Sequence, residues 1–419
     1  MDVDSITLVT PCDGGGDAAT PRADLPRGLV MLFALASGLS VANVYYAQPL
    51  LDALARDFGI GRAAVGGVVT ATQAGCALAL LLLVPLGDRM ERRRLMIAQL
   101  LALVGALIVV SLARSAPVLL GGMLCVGLLG TAMTQGLIAY AAAAAAPHER
   151  GRVVGAAGSG VFIGLLLARV FAGGVSDLAG WRGVYGCAAV VMLALVVPLW
   201  RRLPNLAGKP NASGSIGYAR LIGSMLALLR ANRVLQIRGG LALLMFATFN
   251  IFWSALVLPL SAPPYHFSHT AIGAFGLAGA AGALAAARAG RWADRGWSQR
   301  VSAAALALLL LAWWPLSMLG HSLWLLVIGI VLLDLGGQAL HVTNQSLIFR
   351  SDAQTHSRLV SLYMLFYALG SGLGAIGTTA TYAVAGWHGV CLLGAGVSLL
   401  ALVFWAVTLR HMPATAARA

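Results

Sequence analysis

The sequence predicts an all-α polytopic membrane protein, with twelve transmembrane helices in two pseudo-symmetric six-helix bundles. Three observations carry that expectation. Of the 419 residues, 59% are hydrophobic and only 10% charged, whereas soluble domains carry about 25% charged residues. Apolar runs of roughly 20 residues, the length that crosses a bilayer core, recur from end to end. Short motifs also recur at a fixed offset of 206 residues.

The spans are expected at 28–50, 63–86, 95–113, 117–143, 153–177, 183–200, 236–260, 270–289, 301–319, 323–347, 358–384 and 388–409. Residues 1–26 are polar and lack a basic head followed by an apolar core, so they read as a cytoplasmic tail rather than a cleaved signal peptide. Residues 27–200 hold the first bundle. In the connection 201–235, RRLPNLAGKPNASGSIG marks a linker by its Pro, Gly and Ser content. Its second part, YARLIGSMLALLRAN (218–232), is amphipathic and is expected to lie along the inner membrane surface. Residues 236–409 form the second bundle and 410–419 a short cytoplasmic tail.

Orientation follows from arginine. With the amino terminus inside, 23 basic residues fall in inner segments and four in outer ones. That asymmetry places both termini in the cytoplasm. It also explains the formal charge of +14 without a nucleic-acid partner. The repeat is read from three pairs at one offset: GDR (87–89) with ADR (293–295), Arg152 with Arg358, and GWRGV (180–184) with GWHGV (386–390). Parallel six-helix repeats with a site between them are the layout of a rocking transporter.

Enzyme chemistry has little footing. Cys12, Cys76, Cys125, Cys187 and Cys391 lie far apart, with neither disulfide nor metal-ligand spacing. No Walker A loop, H-E-x-x-H or G-x-S-x-G element occurs. No cofactor or metal is expected.

Two turns carry a family resemblance. VPLGDRMERRRLM (84–96) and GRWADRGWSQR (290–300) resemble the G-x-x-x-D-R-x-G-R-R signature of the major facilitator superfamily (MFS). Val84 and Glu91 stand where the family has Gly, and the second copy keeps Gly290 but moves the later glycine to Gly296. ANVYYAQPLL (42–51) and GRVVG…GLLLARVFAGG (151–174) resemble a bacterial branch of sugar- or drug-efflux permeases. The resemblance implies the MFS fold, a multi-pass place in the bacterial inner membrane, a monomer, and a small-molecule substrate moved by alternating access with protons. It also places Asp88 beside the amino terminus of span 11 and Asp294 beside that of span 5. A carboxylate there meets unpaired N–H groups and the positive end of a helix dipole. Asp88, Arg89, Arg92, Arg93, Gly290, Asp294 and Arg295 are therefore candidate gating residues. For the arginines, fixing topology is the competing reading.

The polar groups at membrane depth are few. In VLLDLGGQALHVTNQSLIF (331–349), Asp334, Gln338, His341 and Gln345 form one helical stripe, flanked by Asn344. Asp334 lies near the middle of span 10, where an ionised side chain costs about 2.5–3.5 kcal/mol and is usually functional or paired. It either takes up and releases a proton as access alternates, or is a structural charge paired with Arg169, or accepts N–H groups within the packing. His341, about 10.5 Å further toward the cytoplasm, can relay that proton, bind substrate, or be a satisfied interior histidine.

Arg169 follows the small-residue ladder Gly160, Gly164, Ala168, which lets another helix approach closely. The segment resembles the superfamily's antiporter motif G-x-x-x-G-P-x-x-G-G, with Leu165 for the proline and Ala168-Arg169 for the last glycines. In this family spans 1, 4, 7 and 10 line the cavity. The candidate substrate contacts are Asn43, Tyr46, Gln48, Gln73, Gln135, Asn250, Trp253, Gln338, Asn344, Tyr363 and Tyr367, although amides also join helices and Tyr45 and Tyr46 also suit an interfacial belt. The expected function is proton-driven efflux, by antiport, of a small organic molecule such as a drug or sugar-like compound. A proton symporter uses the same parts, and a transporter-like sensor is the third reading.

Overall fold

The computed structural model describes residues 25–86, 90–146, 148–204, 218–348 and 356–412. Among them every regular element is helical, as a bilayer requires of a chain whose backbone groups must pair within each segment. The first spans are α1 Arg27–Tyr45, α2 Gly67–Leu86, α3 Arg92–Ser111 and α4 Ala116–Ala144. α2 widens into a π turn over Ala79–Leu83 just ahead of Pro85. Proline lacks the N–H that would close this turn and crowds the carbonyl four residues back, and a wider turn relieves both.

The helical run Arg150–Arg202 folds back on itself at Gly180, where φ is 71°. It supplies α5 (residues 150–179) and α6 (residues 181–202). After the short helix Tyr218–Ala231 come α7 Arg233–Leu260, α8 His269–Trp292, α9 Arg295–Ser317 and α10 Leu323–Ile348. The run His356–Thr408 folds back at Gly386, φ 59°, giving α11 (residues 356–385) and α12 (residues 387–408). An L-residue in this left-handed region costs roughly 1–2 kcal/mol. The two glycines are 206 residues apart, inside GWRGV and GWHGV, so the duplication reaches the backbone conformation of the turn.

Among the described residues nine segments are long and apolar enough to cross a membrane. Two of these are the folded-back pairs, and α8, a helix of 24 residues, stands outside the nine. The two terminal tails (1–24 and 413–419) and the first part of the linker (205–217) lie outside the described residues.

Packing joins the helices in order. α1 lies on α5, with Gly160 and Gly164 against the backbones of Ala34 and Gly38, as the small-residue ladder predicts. α2 packs on α4, α7 on α11, and α8 on α10. Between the first six and last six spans, α5 meets α8 and α2 meets α11. The second contact is hydrogen-bonded: Thr70 Oγ1 donates to Gly372 O (2.8 Å), Thr379 Oγ1 to Ala63 O (3.0 Å), and Gly66 N to Thr379 Oγ1 (3.2 Å). All three lie toward the Arg-poor face, so the two sets of spans are closed on one another there.

One arginine departs from its expected place. Arg238, one of the 23 basic residues of the inner segments, has a fully buried side chain. It donates to Ser302 Oγ (2.9 Å), Asn344 Oδ1 (3.2 Å) and Gln299 Oε1 (3.0 Å). In the second turn of α7 it is an interior cross-link to α9 and α10.

Candidate functional site

The polar stripe of α10 divides among three environments. Asp334 and Gln338 line a cavity at the centre of the helices, together with Tyr45, Gln48, Arg169, Phe246, Phe249, Asn250, Trp253 and Tyr367. One turn further on, His341 leaves it: Nδ1 meets the Tyr363 hydroxyl at 2.9 Å and the ring packs edge-on against Phe246. Asn344 is further still and accepts from Arg238. A stripe that is continuous on one helix is thus split by the neighbours it meets.

Residues from both sets of spans build the cavity. Arg169, on α5, is 5% exposed. Its Nε and Nη2 donate to Gln48 Oε1 (3.2 and 2.9 Å), and its guanidinium lies 4.0 Å from the Trp253 ring centroid. Gln48 in turn donates to Asn250 Oδ1 at 3.1 Å, and the Tyr45 and Tyr367 hydroxyls touch. The backbone explains how Gln48 reaches in. α1 ends at Tyr45, and the chain turns through Gln48–Leu50, with Pro49 unable to continue the ladder.

Asp334 sits across from Arg169 and makes no ion pair with it; Arg169 bonds Gln48 instead. The acid is buried at 7% exposure, and its Oδ2 makes no hydrogen bond to the protein. Buried polar atoms are nearly always bonded, and exceptions call for an explanation. The space it occupies comes from α8. A Cβ on Gly279 would lie 2.6 Å from Asp334 Oδ2, while Gly276 faces the Arg169 side chain, with Cδ 3.5 Å from the corresponding point. Three residues apart, the two glycines share one face of α8, which meets both the Arg169 side chain of α5 and Asp334 of α10.

The cavity encloses about 40 Å³, enough for a few waters and far below the roughly 300–1,000 Å³ of a pocket for an organic ligand. The Arg-poor face beside it is closed.

The other candidates fall elsewhere. Asn43 is buried and donates to Leu39 O at 2.7 Å. Tyr46 points away from the cavity, packing on Phe171 and Tyr185. Gln73 is buried beside Gly372, with its Oε1 unbonded. Gln135 and Arg92 share a separate small cavity with Arg358 and Ser361, between α2–α4 and α11. Arg93 bonds Trp200 O and stacks on the Trp200 ring, 5.6 Å away. Asp88 and Arg89 lie outside the described residues, as do the surroundings of Gly290 and Asp294, and Arg295 is exposed. Gln48, a candidate, lines the cavity, and so do Tyr45, Phe246 and Phe249, which were not among the candidates. Among the described residues no cluster of His, Cys, Asp and Glu can hold a metal.

Comparisons with known proteins fit this architecture. The Major Facilitator Superfamily profile matches residues 33–352 and 241–419. The chain is 41% identical over 386 residues to "Uncharacterized transporter YgaY" of Escherichia coli O157:H7, covering 92% of this chain and 96% of that one. It is 31% identical to "Probable transporter SCO4007" of Streptomyces coelicolor, over 91% of this chain and 86% of the relative. A shorter match, 30% identical over 39% of this chain and 41% of the relative, is to "Purine ribonucleoside efflux pump NepI" of Salmonella paratyphi B. Among solved structures, a bacterial homologue of the human lysosomal transporter Spinster superimposes with a TM-score of 0.74 at 13% identity, covering 91% of this chain and 96% of that one. The nucleoside transporter NupG does so with 0.72 at 15% identity, over 90% and 99%. The chain is a transporter-type membrane protein of the major facilitator superfamily.

Proposed function

We propose that the protein is a secondary active transporter in which the first and last six spans rock about the central cavity, exporting a small organic molecule in exchange for protons. The observation that carries this reading is Asp334: a buried carboxylate with an unbonded oxygen, facing an arginine supplied by the other six spans. Exposed to one side and then the other, such a group loads and unloads a proton at each swing. Arg169, held by Gln48 and Trp253, is its counter-charge. Trp253, Tyr45, Tyr367 and the amides of Asn250 and Gln338 suit a flat, hydrogen-bonding solute. That description includes drug-like and sugar-bearing compounds, and the partial match to a purine ribonucleoside efflux pump supports the same class and the outward direction. The Arg-rich face is assigned to the cytoplasm of the bacterial inner membrane, with both termini inside, and the unit is a monomer.

The test is counterflow in proteoliposomes with inosine, a hexose and ethidium as probes. One probe is expected to move against its gradient when a pH gradient is imposed. Asp334→Asn should keep downhill exchange and lose the pH-driven part. Co-directional proton and probe movement would replace antiport by symport, and binding without flux would replace transport by sensing.

A further inference from the structure

The Arg-poor face carries a charged cluster that the transport reading does not use. His269 opens α8, outside the apolar segment 270–289. Its Nε2 lies 2.9 Å from Asp52 Oδ1 and its Nδ1 3.2 Å from Asp177 Oδ1. Asp52 belongs to the short helix Leu51–Phe58 and Asp177 to the end of α5, both in the first six spans. The histidine belongs to the last six, so the cluster spans the division between them.

The proton count is fixed by chemistry. An ionised carboxylate only accepts, and a neutral imidazole has one donor nitrogen and one acceptor. Two carboxylates, one on each ring nitrogen, are both satisfied only by an imidazolium. The rest of the geometry holds Asp177 in place for this. It also accepts from His269 N (3.0 Å), Thr270 N (2.8 Å) and Thr270 Oγ1 (2.6 Å), capping the amino terminus of α8. Gly173 presses on the His269 carbonyl, so α5 and α8 meet backbone to backbone at this level.

We propose that His269 is a proton-binding site on the Arg-poor face: protonated, it clamps Asp52 and Asp177 and holds that face closed, and loss of its proton releases the clamp. The charged groups around it are few. Arg56 shares Asp52 through its other oxygen (2.9 Å). Asp57 is taken by Trp181 (3.0 Å) and Arg182 (2.5 Å), within the first six spans. His266, on the same connection, is exposed. From α10 the nearest acid along α8 is Asp334 at Gly279, ten residues and about 15 Å away.

The sign follows from the partners. The hydrogen bond to Asp52 raises the His269 pKa above the ordinary histidine value, against the lowering by burial. A raised pKa contributes stability to the clamped state that is fully present below the unperturbed value. It is lost as pH rises through the raised one. The face therefore opens more readily as its own side becomes alkaline. The inference rests on the alternating-access reading, because a clamp matters only if this face opens.

Spin labels at Arg114→Cys and Gly320→Cys, in a cysteine-free background, report the separation of the two sets of spans at this face. Both positions are exposed and lie on connections of opposite halves. In nanodiscs, distance distributions from about pH 5 to about pH 9 are expected to pass from one short population to a growing long one, with a midpoint above about 6.5. Asp52→Asn should move the midpoint down. His269→Gln should make the distribution independent of pH, with thermal midpoints confirming that both variants fold. A distribution that ignores pH in the unsubstituted protein, or a pH response that survives His269→Gln, overturns the clamp. If pH-independent opening still occurs, the transporter reading stands alone. If no opening occurs in either protein, at this face or at a label pair on the opposite one, both readings fall.

Discussion

Gly279→Ala and Gly282→Ala place the same methyl group one turn apart on α8, yet they should behave oppositely. At Gly279 the new Cβ would lie 2.6 Å from Asp334 Oδ2 and 3.0 Å from its Cγ. Restoring ordinary contact at 3.4 Å needs a shift of about 0.8 Å in the end of a rotatable side chain. Because Oδ2 makes no hydrogen bond to the protein, no bond breaks. A side chain pushed about 30° off its rotamer costs about 0.5–1.5 kcal/mol, and alanine in place of glycine returns about 1 kcal/mol of helix propensity. The net is within about 1 kcal/mol. At Gly282 the Cβ meets Val331 O at 2.5 Å and Leu335 N at 2.8 Å, both backbone atoms that cannot swing aside. Forcing α8 and α10 apart costs about 1–3 kcal/mol. Thermal unfolding in detergent should therefore leave Gly279→Ala within a few degrees of the parent and lower Gly282→Ala clearly. Coupled flux should reverse that order of severity. A displaced reacting group can lose about a hundredfold per ångström, so pH-driven transport by Gly279→Ala is expected to fall at least about tenfold. Equal thermal losses in the two variants, or unimpaired pH-driven flux in Gly279→Ala, would refute the assignment of this notch to Asp334.

Three other outcomes follow from particular contacts. Arg238→Ala leaves the buried Asn344 Oδ1 without its donor, while Ser302 keeps Ser298 O and Gln299 keeps Trp405, and should lower stability by about 1–3 kcal/mol, seen as a drop in thermal midpoint. Gly386→Ala should cost about 1–2 kcal/mol through its positive φ alone, with Gly180→Ala matching it because the turn is duplicated; unequal losses would show that the two turns differ in their surroundings. Trp253→Leu removes the ring beneath the Arg169 guanidinium, a contact worth up to about 2 kcal/mol when desolvated, and should weaken probe binding in the counterflow assay without lowering the thermal midpoint by more than a few degrees.

What the sequence revealed depended on how local each signal was. Span positions were legible because a bilayer demands a continuous apolar run, and the folded-back turns were legible because GWRGV and GWHGV carry the needed glycine at the same place in each copy. Asp334 and Arg169 stood out because a charge at membrane depth is expensive wherever it points. The direction a side chain takes was not legible. Tyr45 and Tyr46 are neighbours, yet one reaches Tyr367 in the cavity and the other packs on Phe171 and Tyr185, a difference set by the end of α1 and the Pro49 turn. Arg238 looked like a topology arginine because its partners, Ser302 and Asn344, come from α9 and α10, more than 60 residues away. The repeat also sets a limit on inference by symmetry. Its backbone turns match at an offset of 206, but the same offset carries Asp334 onto Leu128 and Arg169 onto Ala375. Duplication accounts for the two sets of helices. The two charges stand on one copy each, and they face one another where α5 and α10 both lean on the glycines of α8.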